Sequence, residues 1–330
     1  MKTKEQKAKK AKLSLRYACT TLIALALLGI LAYNHFELWH YKRFYKDGVL
    51  KEFVFSQFDK QKCEFNSLLA QGGGDSKNKS LNLSANSSFF IAHAGGALME
   101  NGEIFTYTNS KEALLQSINE GFTFIELDLM LDDEGGIFAA HDYEHFYKIT
   151  NALSTQNLQS PPSKDYVSKS LIYGRFTPLT ASDINEIFMQ NPSVYLLTDK
   201  LNDFNAIEKQ LKFKDRLLVE VFSVKDYFKA KKMGFKYPML CVWGSADDVA
   251  AAMKLNIAMI TAHTSLLQNE RGEKLAREYI QNGGCIMMFS SNEKEFIDKH
   301  KGKNATMFYT DFYDINADKC KLDEKECKTY

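Results

Sequence analysis

The chain has 330 residues, enough for one large domain or two smaller ones, and its 45% apolar content is ordinary for a globular protein. The net charge of +1 conceals an asymmetry. Residues 1–16 hold seven Lys/Arg against Glu5 alone, a charge of +6, which leaves the rest of the chain at −5. A mildly acidic body with no basic stripe excludes a protein that tracks a polyphosphate backbone, so no nucleic-acid partner is expected.

The basic tip, residues 1–16, precedes an apolar run, residues 17–36, in which only His35 could carry charge outside Tyr17 and Cys19. At a rise of ~1.5 Å per residue the run spans a hydrocarbon core of roughly 30 Å. No small-x-small cleavage site follows it, which favours an uncleaved anchor over a signal peptide. Trp39 and Tyr41 then fall where an interfacial aromatic belt would lie. Basic residues stay cytoplasmic, so the reading is a single-pass protein whose folded part is periplasmic or extracellular. Residues 37–70 have the spacing of a helical stalk, and the Gly/Ser/Asn-rich stretch 71–88 reads as a flexible linker. Residues 37–88 therefore connect the anchor to a folded domain over 89–330.

In that domain nine short apolar runs alternate with helical stretches, from 89–93 to 307–310. Alternation over this length predicts an α/β fold, a (β/α)8 TIM-type barrel, with a doubly wound sheet as the other possibility. No GxGxxG follows the first run, which argues against a dinucleotide fold. Only eight residues separate Asp128 from Ile137, too few for a helical crossover. The second and third runs should therefore pair as a hairpin, making the barrel irregular there.

Of six cysteines, Cys19 lies in the apolar span. Cys320 and Cys327 bracket a short charged tail and can close a disulfide in an oxidising compartment. Cys241 and Cys285 fall in apolar runs and read as buried free thiols. Cys63 has no assignable partner.

The chemistry concentrates early in the domain. In the run Phe122–Met130, Ile125, Leu127 and Leu129 share one face, and Glu126 and Asp128 the other. Two carboxylates side by side at a half-desolvated strand end need a proton or a cation, and oxygen ligands suit Mg²⁺ or Ca²⁺. His93 and His141 each end a strand-like run, and histidine is the natural proton shuttle near neutral pH. Gly95 and Gly96 let backbone approach a ligand closely. Asp142, Asn109, Glu220, which interrupts an apolar strand, and Trp243 are secondary candidates for contacting substrate. The stretch 143–180 reads as a lid whose aromatic start, Tyr143, Phe146 and Tyr147, is placed to meet a glycerol or lipid group.

The order His93-Ala-Gly, Asn109-Ser, Glu126-Leu-Asp128 and His141-Asp142 resembles the glycerophosphodiester phosphodiesterase family, within the phosphatidylinositol-phospholipase-C-like barrels. The resemblance is specific over 91–142 and continues to Tyr-Thr-Asp at 309–311. It implies His93 and His141 as the acid–base pair, and Glu126, Asp128 and Asp199 as ligands of a divalent cation. The family's lysine would fall at position 201, where Leu201 stands. Lys200 is one position early and by alternation should point the other way unless a bulge re-aims it. The family's arginine after the first histidine is Ala94 here, and its Glu before Asn is Thr108. The implied substrate is a small-molecule or lipid-derived phosphodiester. Two rival readings are a catalytically inactive barrel tethered as an envelope-binding module, and a stalk that oligomerises around a vestigial barrel.

Overall fold

The computed structural model describes residues 17–32, 62–65, 89–151 and 158–327. The basic tip, the end of the expected anchor and most of the expected stalk and linker lie outside the described residues. The chain divides into two compact units near residue 60.

In the first unit, residues 17–32 form a helix whose large apolar side chains, Leu22 and Ile23 among them, are exposed. Among the described residues no helix is long and apolar enough to cross a membrane.

The second unit runs β1 (Phe90–Ala92), β2 (Leu98–Glu100), β3 (Glu103–Phe105), α1 (Lys111–Glu120), β4 (Phe124–Leu131), β5 (Ile137–Ala139), α2 (Tyr143–Ile149), α3 (Lys164–Lys169), α4 (Ala181–Gln190) and β6 (Tyr195–Asp199). It continues α5 (Phe204–Gln210), β7 (Leu217–Val221), α6 (Val224–Lys232), β8 (Tyr237–Cys241), α7 (Ala246–Lys254), β9 (Met259–His263), α8 (Glu270–Gln281), β10 (Cys285–Phe289), α9 (Lys294–His300) and β11 (Met307–Thr310). Eight of these strands pair in parallel, and β1 bonds both β11 and β4, which closes the barrel. The third apolar run is β5, the one strand of the nine outside the parallel barrel, which lies antiparallel to β4 as a hairpin, as the short spacing required. Helices α1–α8 each begin on a Ser, Thr, Asp or Asn whose side chain accepts a helical N–H.

Two features depart from the sequence reading. First, Cys285 is not a free thiol: it is bonded to Cys63, 222 residues earlier. Cys63 and Phe65, read as stalk, belong to the barrel core, where they pack on Phe124, Leu197, Tyr237, Met259 and Met307. Several of these are the first residues of barrel strands, so Phe65 plugs the mouth at the strands' N-terminal ends. Cys320 and Cys327 are joined, and Cys241 is a buried free thiol, both as expected. Second, the aromatic start of the 143–180 segment does not await a ligand. Phe146 and Tyr147 are buried, and the Tyr143 hydroxyl donates to the Leu131 carbonyl at 3.0 Å. Phe146, Ile149, Val167, Ile172 and Phe176 form a small core of their own against Phe138 and the β2–β3 hairpin. Burial won because these rings gain more by leaving water than an open rim would return.

Candidate active site

Along β4 the pleat sends Ile125 and Leu127 outward into the helix layer and Glu126 and Asp128 inward. The parallel register pairs Asp128 with Asp199 of β6. The result is three carboxylates, Glu126, Asp128 and Asp199, each offering an oxygen within 4.8 Å of the others. Asp199 ends β6, and Asp128 lies level with it where the parallel pairing of β4 ends, so the triad faces the C-terminal end of the barrel, the end at which barrel enzymes carry their sites.

Each is held differently. The Ala94 N–H donates to Glu126 Oε2 at 2.6 Å, from a turn in which Ala94 itself has φ 48°. The other oxygen, Oε1, is buried without a hydrogen-bond partner. Asn109 spends both ends of its amide on Asp128: Nδ2 donates to Oδ2 at 2.9 Å, and Oδ1 accepts the Asp128 N–H at 3.0 Å. Asn109 therefore positions a carboxylate. Lys200 has φ 66°, and this left-handed residue just beyond β6 re-aims its side chain into the site. Its Nζ lies 3.1 Å from Asp199 and 3.7 Å from Asp128.

Burial pushes the Glu126 carboxyl well above the usual range, and the Asp128 charge adds to it. Asp199 is also raised by burial and by Asp128, with Lys200 opposing. An unsatisfied buried carboxylate oxygen among three clustered carboxylates is the donor set of a hard divalent cation. The residues present fit Mg²⁺ or Ca²⁺.

The two histidines flank Tyr107 at the same mouth. The Tyr107 ring lies edge-on to His93 at 4.7 Å and to His141 at 5.4 Å, on a backbone with φ 53°. His93 Nδ1 bonds Asp311 Oδ1 at 3.1 Å, and His141 Nδ1 bonds Asp142 Oδ2 at 2.7 Å. A carboxylate accepts only, so each imidazole carries its Nδ1 proton there and presents Nε2. Burial works against a charged His93, but Asp311, aided by Glu126 and Asp128, outweighs it and lifts the imidazole to about 10. Asp142 does double service, because its Oδ1 caps α2 through the His145 N–H at 2.7 Å.

The remaining candidates separate. Gly95 is buried with φ 84° and packs on α1, its carbonyl accepting from Ser117 Oγ at 2.6 Å, so it shapes the turn beneath His93. Glu220 lies inside the barrel, level with Asp199, and accepts from Thr261 Oγ1 at 2.6 Å. Burial, then the Asp199 charge, lifts its carboxyl to about 8. Trp243 is no core residue: it is 54% exposed, near Phe222 and Phe289 on the rim. Sequence reasoning missed Tyr107 and the role of Asp311. Only Asp311 had a signal, as an acid directly after the last barrel strand.

Solved structures share this architecture. The fold is that of glycerophosphodiester phosphodiesterases. A phosphodiesterase from Oleispira antarctica, solved in complex with the product sn-glycerol-3-phosphate, matches with a TM-score of 0.54 at 15% identity, over 70% of this chain and 96% of its own. A glycerophosphodiester phosphodiesterase from Thermotoga maritima matches at 0.53 and 16%, over 73% and 98%. One from Agrobacterium tumefaciens matches at 0.51 and 14%, over 69% and 98%. No protein-family model matches the chain, and no curated protein sequence does. At these identities the likeness is one of fold, and the site's own geometry carries the chemistry.

Proposed function

We propose that this chain is a membrane-anchored, metal-dependent phosphodiesterase that hydrolyses glycerophosphodiesters or related phospholipid head-group esters. The observation that carries the reading is the pair of carboxylate-held imidazoles, His93 and His141, at the mouth that holds the Glu126–Asp128–Asp199 triad. Glu126, Asp128 and Asp199 would hold a Mg²⁺ or Ca²⁺ ion, which when bound would neutralise phosphate charge. With Nδ1 tied down, each imidazole exchanges protons through Nε2. One takes the proton of the attacking hydroxyl, from water or from the substrate itself, and the other returns a proton to the leaving alcohol. Lys200 adds a fixed ammonium at the edge of the triad, where the phosphate charge arrives.

The anchor is part of the same proposal. The exposed apolar helix over 17–32, preceded by seven basic residues, supports a cytoplasmic N-terminus with the barrel periplasmic or extracellular. Two disulfides fit an oxidising compartment.

The test is hydrolysis by the full chain in detergent across glycerophosphodiesters, lysophospholipids and phosphatidylinositol, with Mg²⁺ or Ca²⁺. Release of a head group that disappears with chelator and in Glu126→Ala is the expected result. A folded barrel that binds the ion and cleaves nothing would replace this reading with the tethered binding module.

A further inference from the structure

Outside its first 16 residues the chain is acidic, yet the fold gathers lysines at one end of the barrel. The end of α5 and its connection to β7 carry Lys209, Lys212, Lys214 and Arg216, and the end of α6 and its connection to β8 carry Lys229, Lys231, Lys232 and Lys236. Helices run back along parallel strands, so both connections lie at the strands' N-terminal ends, opposite the carboxylate triad. The acids beside these lysines are Asp215, Glu208, which pairs with Lys214, and Glu64, which pairs with Lys236 at 2.8 Å on the same face. Lys209, Lys212, Lys229, Lys232 and Lys236 are exposed. Helix polarity accounts for a single basic residue in the last turn, as in α2, α3, α5 and α7, whereas α6 carries three, Lys229, Lys231 and Lys232. Two cavities of about 560 and 230 Å³ open on this face and share Lys231 and Lys236.

A second observation concerns how the chain reaches the barrel. Lys62 lines the smaller cavity, Cys63 is bonded to Cys285, and Phe65 fills the barrel's lower mouth. Lys62, the first described residue of this unit, therefore lies at the barrel's basic face.

We propose that this face docks on an anionic lipid bilayer, leaving the catalytic mouth turned away from the bilayer and open to soluble, deacylated phosphodiesters. The choice of substrate rests on the phosphodiesterase reading; the docking does not. Lysine ammonium groups are drawn to lipid phosphates over roughly 10 Å before salt screens them, and each engaged lysine multiplies the attraction about fivefold.

The experiment places the full-length protein in vesicles of phosphatidylcholine alone, or of phosphatidylcholine mixed with phosphatidylglycerol, and maps lysine acetylation by mass spectrometry. Lys212, Lys229 and Lys232 are expected to react at least about fivefold more slowly in the anionic vesicles. High salt should restore their reactivity. Equal reactivity in the two vesicles overturns the docking. In the triple variant Lys209→Gln, Lys229→Gln, Lys232→Gln, the protection of Lys212 should disappear, and its persistence also overturns the proposal. Hydrolysis of a soluble glycerophosphodiester, followed in the same samples, should be unchanged by the three substitutions, which lie far from the site. Cleavage of the intact vesicle lipid overturns the outward-turned mouth. Protection without hydrolysis of any substrate keeps the docking and removes the phosphodiesterase reading; hydrolysis without protection does the reverse.

Discussion

Replacing Phe65 with Ala tests whether a segment outside the apparent domain is part of its core. The ring is 3% exposed and meets Phe124 edge-on at 5.3 Å, Tyr195 edge-on at 5.7 Å and Tyr237 at 5.0 Å. Removing a core Phe costs about 3–5 kcal/mol, and aromatic pairs of this geometry add to the loss. Because the plug sits at a mouth, water can enter the vacated space, which favours the lower end, ~3 kcal/mol. For a domain of this size each kcal/mol moves Tm by about 2–4 °C, so Phe65→Ala should melt roughly 6–12 °C lower. The assay is thermal denaturation of the oxidised, full-length protein, followed by circular dichroism. The site lies at the opposite end of the barrel, so hydrolysis well below Tm should stay near the wild-type rate. A fall in Tm of less than about 2 °C would refute the plug. A lost rate at low temperature would refute its separation from the chemistry.

Three other predictions concern the site. His93→Ala and His141→Ala, assayed separately on a chromogenic phosphodiester, should each lose ~10²–10⁴ in rate, and near wild-type turnover in either variant removes that residue from proton transfer. Asn109→Ala should weaken divalent-cation affinity by ~10–100-fold, read by calorimetry, because Asp128 loses both the bond to its carboxylate and the bond from its backbone N–H. Unchanged affinity would show that the strand alone orients Asp128. Glu220, whose carboxyl is lifted by burial to about 8, holds its proton in the folded chain at pH values where the unfolded chain has released it. The folded state then binds more protons than the unfolded one between about pH 4.5 and 8, so stability falls as pH rises through that window. Glu220→Gln removes this slope, and it should melt higher than wild type at pH 9 while matching it more closely at pH 5, with a ceiling of ~5 kcal/mol on the difference. Parallel Tm–pH curves for the two proteins would rule the effect out.

Local pattern made much of this protein legible. Alternation along one strand places Glu126 and Asp128 on a common face whatever surrounds them, because the side-chain period of a strand is two. The eight residues between Asp128 and Ile137 cannot hold a crossover helix, so the β4–β5 hairpin follows from counting. Histidines at strand ends and an Asx or hydroxyl residue ahead of each of α1–α8 are equally local signals. What lay beyond the sequence was set by long-range register and by backbone at positive φ. Asp199 meets Asp128 only because β6 pairs with β4 in that register. Lys200 enters the site, against the alternation rule, through one left-handed residue, and Tyr107 reaches both imidazoles from another. Asp311 faces His93 across 218 residues, and Cys63 finds Cys285 across 222. The basic face stands between the two cases: its lysines all lie within residues 209–236, but they share one end of the barrel because successive helices of a parallel barrel return to the same end.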